Sequence, residues 1–371
     1  MNIQMANINA LHLRHKEEIE SSIQSVIDKA AFIKGDEVAT FEQDLESYLN
    51  VPHAISCGSG TDALTIAMMA LGLERGDEVI MPSFAYAALP EAALLLGIKP
   101  VFVDINENYL LDVDALERAI TEKTKAIAAV HLFGAHCDMD SIKEIADRHD
   151  LRVIEDAAQS LGTYYQGIIQ GYTGCIGDIG ITSFFPSKNL GCYGDGGAIF
   201  TRSKELADKA RMIANHGQNK RYYHEIIGLN SRLDTIQAAV LRVKLKYLNE
   251  TLKRRISVAN FYHEELSEIS QFRLPPHDKS VNCTFHQYTI ECESGELRDK
   301  LQDFLMSKGV SVMIYYPLPL HHQKAYSQSI PLKNAERMSK RVLSLPICSE
   351  KTTGELEYIT NQIKDFFNPI K

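Results

Sequence analysis

The sequence predicts an α/β protein with a large, mostly parallel sheet, followed by a smaller α+β unit. Short apolar segments alternate with helical patterns between about residues 50 and 240. These segments are continuously apolar, which is typical of strands covered by helices on both faces. Beyond residue 245 the alternation gives way to a mixture of helices and isolated strands. At 371 residues, the chain is long enough for two such units.

The elements of the first unit follow from these patterns in chain order. A helix is predicted at 15–32, before the alternation begins. Strands are predicted at 53–56, 78–81, 100–103, 126–130, 152–155, 179–184 and 197–200. Helices are predicted between them at 61–71, 87–97, 112–120 and 138–149.

The second unit contains fewer strands. A long helical stretch at 233–266 leads out of the first unit, and further helices are predicted at 295–308 and 353–367. Strands are predicted at 285–292 and 310–316. We therefore expect three parts: an N-terminal helical segment at 1–32, a large domain at 33–245 and a small C-terminal domain at 246–371.

Composition argues against several classes of protein. The chain has 39 Lys and Arg against 48 Asp and Glu, a formal net charge of −9, so a broad basic surface for nucleic acid is not expected. No basic stretch is followed by an apolar one at the N-terminus, and prolines and charges interrupt the most apolar segment, 84–103. The seven cysteines include no Cys-x-x-Cys pair, which fits reduced thiols. We expect a cytoplasmic protein without membrane or nucleic-acid partners.

A glycine-rich turn follows the first predicted strand. Residues 57–64, CGSGTDAL, open a helix, so free backbone N–H groups and the helix dipole favour an anion there. The turn also imitates a dinucleotide-binding fingerprint, but Asp77 and Glu78 precede the next strand instead of ending it. An ordinary tight turn between strand and helix explains the motif about equally well.

Two charged residues come after later strands. Asp156 follows the strand 152–155 and is flanked by small residues, so its carboxylate can lie beneath a flat ligand. A helix N-cap is the simpler alternative. Lys188 lies among aromatic, proline and small residues, where partial burial would lower its pKa, as an imine-forming amine requires. A surface lysine in a glycine-rich loop is the alternative.

Taken together, these features indicate pyridoxal phosphate as a cofactor. Its phosphate requires a helix N-terminus, which Gly60 and Thr61 provide, and its aldehyde requires an amine such as that of Lys188. Its ring nitrogen requires a carboxylate such as Asp156. These residues are all predicted beyond the carboxyl ends of strands, where doubly wound sheets bind their ligands.

The chain resembles the sugar aminotransferases of the DegT/DnrJ/StrS family over essentially its whole length. The resemblance is carried by GSGTDAL (58–64), GDEVIMPSFAY (76–86), VIEDAAQSLG (153–162), SFFPSKNLGCYGDGGA (183–198), GLNSRLD (228–234) and YYPLPLHHQ (315–323). It implies the aspartate-aminotransferase fold (fold type I), with the domain at 33–245 binding pyridoxal phosphate. It also implies transaminase activity, with the cofactor passing through its pyridoxamine phosphate form.

The resemblance further implies a role for each residue that matches the family's motifs. Lys188 would join the cofactor covalently and then move the proton between cofactor and substrate; family dehydratases carry histidine at that position. Asp156 would pair with the ring nitrogen, Gln159 with the ring hydroxyl, and Tyr86 would stack on the ring. The phosphate would be held by Gly60, Thr61, Ser183 and, from the neighbouring subunit, Asn230. Arg232 would reach the neighbouring substrate pocket, so a homodimer with shared active sites is implied.

The substrates implied by the resemblance are a nucleotide-linked keto sugar and L-glutamate, in cell-surface polysaccharide or aminosugar biosynthesis. The motif at 183–198 is similar to that of members that aminate 3-keto sugars, whereas members acting on 4-keto sugars more often have histidine in place of Phe185. The likeness is greatest to members acting on a UDP-linked 3-keto uronic acid. Those have His-Tyr-Pro near the substrate where this chain has Tyr315, Tyr316 and Pro317, so a neutral or 6-deoxy sugar on UDP or dTDP stays open.

Two further clusters of residues have competing interpretations. Lys220 or Arg221, before the GLNSRLD motif, would help to neutralise the substrate's diphosphate, and a solvated basic loop is the alternative. His321 and His322 have no acidic or cysteine partner at ligand spacing in the sequence, so no metal site is expected.

Three other functions compete with a 3-keto sugar aminotransferase. A 4-keto sugar aminotransferase is the nearest of them. A nicotinamide-dependent oxidoreductase rests only on the glycine turn and leaves Lys188 unexplained. A non-catalytic regulator or binding protein of the same fold has no need of Lys188, Asp156 and Gln159 together.

Overall fold

The computed structural model describes residues 1–276 and 283–368. Its α-helices are α1 (Ile8–Arg14), α2 (Lys16–Lys29), α3 (Asp36–Leu49), α4 (Gly60–Ala70), α5 (Ala88–Leu95), α6 (Val113–Leu116), α7 (Met139–Arg148), α8 (Lys204–Ile213), α9 (Thr235–Lys246), α10 (Leu248–Leu266), α11 (Gly295–Ser307), α12 (Lys333–Arg341) and α13 (Thr353–Phe367). Short 3₁₀ helices are at Glu117–Ala119, Leu132–Gly134 and Leu320–His322.

The strands are β1 (His53–Cys57), β2 (Glu78–Pro82), β3 (Lys99–Val103), β4 (Thr124–Val130), β5 (Arg152–Asp156), β6 (Tyr164–Gln166), β7 (Gln170–Tyr172), β8 (Ile179–Ser183), β9 (Gly197–Thr201), β10 (Gln218–Lys220), β11 (Tyr223–His224), β12 (Phe272–Arg273), β13 (Tyr288–Cys292) and β14 (Val342–Leu345). Every residue of β2 and β9 is buried, as the continuously apolar segments predict.

Seven strands form the main sheet, in the order β1-β9-β8-β5-β4-β2-β3. The pairs from β8 through β3 are parallel, and β9 is antiparallel to both its neighbours. This confirms the predicted large, mostly parallel sheet. Because β1, β2, β4, β5 and β8 point the same way, their carboxyl ends share one edge of the sheet. That edge receives the segments predicted to bind a ligand.

A second, smaller unit lies in the C-terminal part. Strands β12, β13 and β14 form an antiparallel sheet, which packs with α10, α11 and α13 around a separate apolar cluster containing Tyr262, Tyr288 and Leu305. This confirms the predicted α+β unit. The boundaries drawn at 1–32, 33–245 and 246–371 remain a proposal, and the last range extends beyond the described residues.

Three predicted elements differ from the structure. The strand expected at 310–316 is wrong, because this segment makes only isolated bridges, through Val310 to Ile3 and Met313 to Ser344. The helix expected at 233–266 is divided at Tyr247 into α9 and α10. The strand expected at 285–292 begins only at Tyr288, since Phe285 has a backbone φ of 46° that no strand accommodates.

The structure also contains elements that the sequence patterns did not predict. These include α3, α8 and α12, strand β14 and the hairpins β6–β7 and β10–β11. The helix expected at 112–120 is only α6 followed by a 3₁₀ turn. Over residues 1–276 and 283–368, no helix has the combined length and apolarity needed to cross a membrane.

Candidate active site

The glycine turn after β1 forms the first wall of the site. Ser59 caps α4, because its Oγ accepts a hydrogen bond from the Asp62 N–H at 3.0 Å. A Cβ on Gly60 would lie only 2.7 Å from Ser183 Cβ at the end of β8, so this close approach requires glycine. The structure thus brings Gly60, Thr61 and Ser183 together at a helix N-terminus, where first-turn N–H groups favour an anion.

A serine from the GLNSRLD segment supports this turn. Ser231 Oγ accepts a hydrogen bond from the Gly58 N–H at 2.9 Å and donates one to Asp62 Oδ2 at 2.6 Å. The side chain of Ser231 is buried, so both bonds are shielded from water. This serine was not predicted as a site residue, although it lies beside the predicted Asn230 and Arg232.

Lys188 lies in the loop that joins β8 to β9. Its N–H donates to the Phe185 carbonyl at 2.8 Å, and a Cβ on Gly191 would lie 2.4 Å from the Pro186 carbonyl oxygen. The chain therefore doubles back tightly around Lys188. Burial lowers the pKa of the Lys188 amine, and the negative charge of Asp156 opposes that change.

Asp156 ends β5, next to β8 in the sheet. Its Oδ1 accepts a hydrogen bond from the Ala158 N–H at 3.0 Å. Burial raises the pKa of Asp156, whereas this N–H and the charge of Lys188 act in the opposite direction. Because β5 and β8 are neighbours in the sheet, the fold places the predicted carboxylate and the loop of the predicted amine at the same edge.

Glu155, the residue before Asp156, makes a buried hydrogen bond with His131. Glu155 Oε2 accepts from His131 Nε2 at 2.8 Å and from the Gly174 N–H at 2.9 Å. Its Oε1 accepts from the N–H groups of Ile176 and Gly177, both at 2.6 Å. Burial alone would raise the pKa of Glu155, but the His131 hydrogen bond and these backbone N–H groups lower it below its ordinary value. The carboxylate therefore fixes the end of β5.

Gln159 connects the sheet edge to an aromatic wall. Its Oε1 accepts from the Phe133 N–H at 2.8 Å, and its Nε2 donates to the Tyr316 hydroxyl at 3.1 Å. The Tyr316 ring lies 6.4 Å from the Tyr86 ring and 5.9 Å from that of Tyr315, between centroids. Tyr86 is 63% exposed, which leaves its ring free to cover a flat ligand. Tyr86, Gln159, Tyr315 and Tyr316 are thus brought together.

A buried lysine of α9 lies under the Lys188 loop and was not predicted. Lys244 Nζ donates to the Gly191 carbonyl at 2.6 Å and lies 4.4 Å from the Tyr193 ring centroid. The residue is only 7% exposed, and burial lowers the pKa of its amine to about 8. The sequence feature that could have indicated this burial is the position of Lys244, one turn after Leu241 on a helix that is apolar on most sides.

The four remaining predicted residues lie on hairpin β10–β11 and the segment after it. Lys220 and Arg221 are exposed, with their charged groups 5.5 and 5.0 Å from the ring centroids of Tyr223 and Tyr222. Asn230 is exposed and Arg232 is partly buried. Among the described residues, no hydrogen bond or ion pair joins these four to Lys188, Asp156 or Gln159. The fold of one chain therefore does not unite the whole predicted site.

Comparison with known proteins identifies several relatives that match along nearly the whole chain. A "Pleiotropic regulatory protein" from Geobacillus stearothermophilus is 41% identical, with 99% of each chain covered. A UDP-N-acetyl-3-dehydro-alpha-D-glucosamine 3-aminotransferase from Acidithiobacillus ferrooxidans is 40% identical over 98% of this chain and 97% of the relative. A UDP-2-acetamido-2-deoxy-3-oxo-D-glucuronate aminotransferase from Pseudomonas aeruginosa is 41% identical over 96% and 98%.

A solved structure and a family profile agree with these relatives. The crystal structure of NtdA from Bacillus subtilis with bound cofactor PMP superposes with a TM-score of 0.93 and 33% identity, covering 99% of this chain and 85% of that one. The profile of the DegT/DnrJ/EryC1/StrS aminotransferase family matches residues 13–364. The resemblance drawn from the motifs is thereby confirmed. This chain belongs to the DegT/DnrJ/EryC1/StrS aminotransferase family.

Proposed function

We propose that this protein is a pyridoxal phosphate-dependent aminotransferase that transfers an amino group to the 3-keto carbon of a nucleotide-linked sugar. The observation that carries the proposal is the placement of two buried groups of opposite charge beside the cradle formed by Gly60 and Ser183. Asp156 ends β5, Lys188 lies in the loop after the neighbouring strand β8, and the charge of each acts on the other. An amine with a lowered pKa, a buried carboxylate and an anion site meet the three demands of this cofactor.

The residues present fit the cofactor. Gly60, Thr61 and Ser183 would hold its phosphate at the N-terminus of α4, where a side chain on Gly60 would collide with Ser183. Asp156 would accept a hydrogen bond from the protonated ring nitrogen, and Gln159 would reach the ring hydroxyl. Tyr86 would cover one ring face. When bound, pyridoxal phosphate supplies an electron sink that stabilises negative charge on a substrate carbon.

Lys188 would provide both the attachment point and the proton carrier. Burial in the folded loop lowers the pKa of its amine, which raises the fraction of neutral Nζ able to accept a proton near pH 7. The backbone bond from its N–H to Phe185 and the tight turn at Gly191 hold the Cα in place. The side chain can then swing between positions without movement of the loop.

A homodimer would complete the site. Hairpin β10–β11 and the residues after it expose large apolar side chains, among them Tyr222 at 75% and Ile227 at 83%, and such patches are typical of protein interfaces. Asn230 and Arg232 would then complete the phosphate and substrate sites of the neighbouring subunit, as the family resemblance implies. Lys220 and Arg221, on the same hairpin, would approach the diphosphate of the neighbour's substrate.

The substrate class follows from what the relatives share and where they differ. The two aminotransferases at 40–41% identity carry a UDP-linked, 3-oxo sugar in their names, but one sugar is a glucosamine and the other a glucuronate. We therefore propose C3 as the site of amination and leave the group at C6 unassigned, since Tyr315 replaces the histidine of the uronic acid type. A 4-keto sugar is the alternative acceptor.

Donor, pathway and compartment complete the proposal. L-glutamate would supply the amino group, and the product would enter polysaccharide or aminosugar biosynthesis. The cytoplasm would be the compartment, because all seven cysteines are free thiols, as is usual in reducing surroundings.

A regulatory role is a second candidate because of one relative's name. The Geobacillus stearothermophilus protein is named a regulatory protein and is as similar as the aminotransferases. Lys188, Asp156 and Gln159 are nevertheless all in place in this chain, and a binding protein has no need of this set. A cofactor-loaded protein that aminates no 3-keto or 4-keto nucleotide sugar would favour the regulatory role.

Visible absorbance of the purified protein tests the first half of the reaction. Wild type should show the band of lysine-linked pyridoxal phosphate, and excess L-glutamate should convert it to the band of pyridoxamine phosphate. Lys188→Ala should lack the lysine-linked band. Lys209→Ala is the matched control, because this partly exposed lysine forms its ion pair with Glu205 on α8, away from the site. An identical spectrum from Lys188→Ala would overturn the assignment.

The acceptor is tested by making keto sugars in coupled reactions. UDP- and dTDP-linked 3-keto sugars, with and without a C6 carboxylate, should yield amino sugars detected by mass spectrometry when the protein and L-glutamate are present. A higher kcat/KM for a 4-keto sugar would contradict the proposed position of amination.

A further inference from the structure

His321 and His322 lie beside an acidic residue, Glu336, that is distant from them in the sequence. Both histidines lie in the 3₁₀ turn Leu320–His322, and Glu336 lies in the first turn of α12. His321 Nε2 lies 3.5 Å from Glu336 Oε1, and His322 Nε2 lies 3.9 Å from the same oxygen. The three candidate ligand atoms all lie within 4.8 Å of one another. The two histidines therefore have an acidic partner in the fold, which the expectation of no metal site did not include.

The surroundings of His321 point to a missing partner at Nε2. The side chain is fully buried, and its Nδ1 lies 2.5 Å from Ser83 Oγ. Among the residues that the structure describes, its Nε2 has no hydrogen-bond partner, although it is buried and lies 3.5 Å from Glu336 Oε1. Buried polar atoms are rarely left in this state. A histidine held by a hydrogen bond at one ring nitrogen and open at the other is the usual arrangement of a metal ligand.

We propose that His321, His322 and Glu336 form a binding site for a divalent transition-metal ion of the zinc class. Two imidazoles and one carboxylate are a known zinc ligand set that leaves a fourth position to water. With ligand bonds of about 2.0–2.2 Å, tetrahedral ligand atoms lie about 3.3–3.6 Å apart. His321 Nε2 and Glu336 Oε1 already have that separation, and the distance from His322 Nε2 to the same oxygen exceeds it by at most about 0.6 Å.

The position of this site gives the ion a structural role. Ser83, which holds His321, follows β2 and also accepts the Leu320 N–H at its carbonyl, at 2.7 Å. Tyr86 lies three residues beyond Ser83, and Tyr316 lies five residues before His321. An ion bound here would tie α12 to the two loops that carry the aromatic wall of the active site. This role is separate from the proposed transamination, which needs no metal.

Equilibrium dialysis with metal analysis tests the proposal on the cofactor-saturated protein, free of any polyhistidine tag and of unbound cofactor. After removal of chelators, the protein is dialysed against micromolar ZnCl2. Inductively coupled plasma mass spectrometry should then find one zinc ion bound per chain. Magnesium in the same assay should not bind, because imidazole ligands favour the later transition metals. Less than about one fifth of an equivalent of zinc on wild type would overturn the proposal.

Variants locate the site. His322→Ala and Glu336→Gln should each reduce bound zinc to below about one fifth of an equivalent, and His322→Asn provides a second test of the histidine. His149→Ala is the matched control, since His149 is another partly exposed histidine 3.4 Å from a glutamate, Glu117, and it should retain the full equivalent. Retention of zinc by His322→Ala and Glu336→Gln, with melting temperatures equal to wild type, would place the ion elsewhere and refute the proposal.

Discussion

Replacing Glu155 by glutamine should destabilise the protein strongly, because each carboxylate oxygen accepts two hydrogen bonds. The side chain is fully buried, and its four donors lie 2.6 to 2.9 Å away. Glutamine retains one acceptor oxygen and places an NH2 group where the other oxygen was. In either orientation, two donors lose their acceptor and face another donor.

The magnitude follows from these lost bonds. Each hydrogen bond to a charged group contributes about 1.5–3 kcal/mol, so two of them amount to about 3–6 kcal/mol. With an unfolding entropy of about 2.1 cal/mol/K per residue, 371 residues give about 0.8 kcal/mol/K. The melting temperature should therefore fall by about 4–8 °C.

Differential scanning calorimetry at fixed protein and cofactor concentrations measures this change. Glu205→Gln is the control, because Glu205 is exposed and its ion pair with Lys209 lies on the surface of α8. Its melting temperature should stay within about 1 °C of wild type. A Glu155→Gln variant that also melts within 1 °C of wild type would refute the account of β5.

The same pair of proteins should show a defined pH dependence. The pKa of Glu155 is lowered in the folded state, so its contribution to stability is present above the ordinary carboxyl pKa and is lost as the pH falls through the folded value. The difference in melting temperature should be constant from pH 6 to 8 and should narrow below about pH 4. A difference that widens on acidification would contradict the lowered pKa.

Three other changes test neighbouring parts of the site. Gly60→Ala should weaken pyridoxal phosphate binding by about ten- to a hundredfold, because the alanine Cβ would lie 2.7 Å from Ser183 Cβ. Gly354→Ala is the control, because a Cβ there meets open space, and it should leave the Kd for pyridoxal phosphate unchanged. Lys244→Met should lose stability relative to wild type as the pH rises from 8 to about 10. The pKa of Lys244 is about 8 in the folded protein, below the ordinary value of 10.5. In this pH range the unfolded wild type therefore binds more protons than the folded wild type, so the folded state gains stability as the pH rises. A difference in melting temperature that does not vary with pH would contradict this. Tyr316→Phe should cost about 1 kcal/mol and lower the melting temperature by about 1 °C, because Gln159 Nε2 loses its acceptor; a variant as stable as wild type would show that this bond contributes nothing.

The sheet and the burial around Lys188 could be predicted because their sequence signals are local. Continuous apolar segments ended by small or polar residues marked all seven strands of the main sheet within one or two residues. The surroundings of Lys188 are apolar enough in the sequence to indicate burial, and in the fold burial lowers the pKa of its amine. The position of a functional group can be predicted from local sequence when that group follows directly from the end of one strand.

The parts that escaped prediction depend on contacts between distant segments. The segment 310–316 is as apolar and β-branched as a strand, but the fold directs Tyr315 and Tyr316 to the aromatic wall instead of into a sheet ladder. Lys244 and Gly191 are joined only by the packing of α9 under the loop. Glu336 meets His321 across 15 positions of chain, on a different element. No sequence spacing encodes such pairs.

Reduction of the cofactor-loaded protein with borohydride, followed by peptide mass mapping, tests the central claim most directly. The account predicts a phosphopyridoxyl group on the peptide that contains Lys188, and its loss when excess L-glutamate is added before the reduction. Lys209→Ala should give the same result as wild type. A modification on another lysine, or none on protein saturated with pyridoxal phosphate, would contradict the assignment of Lys188.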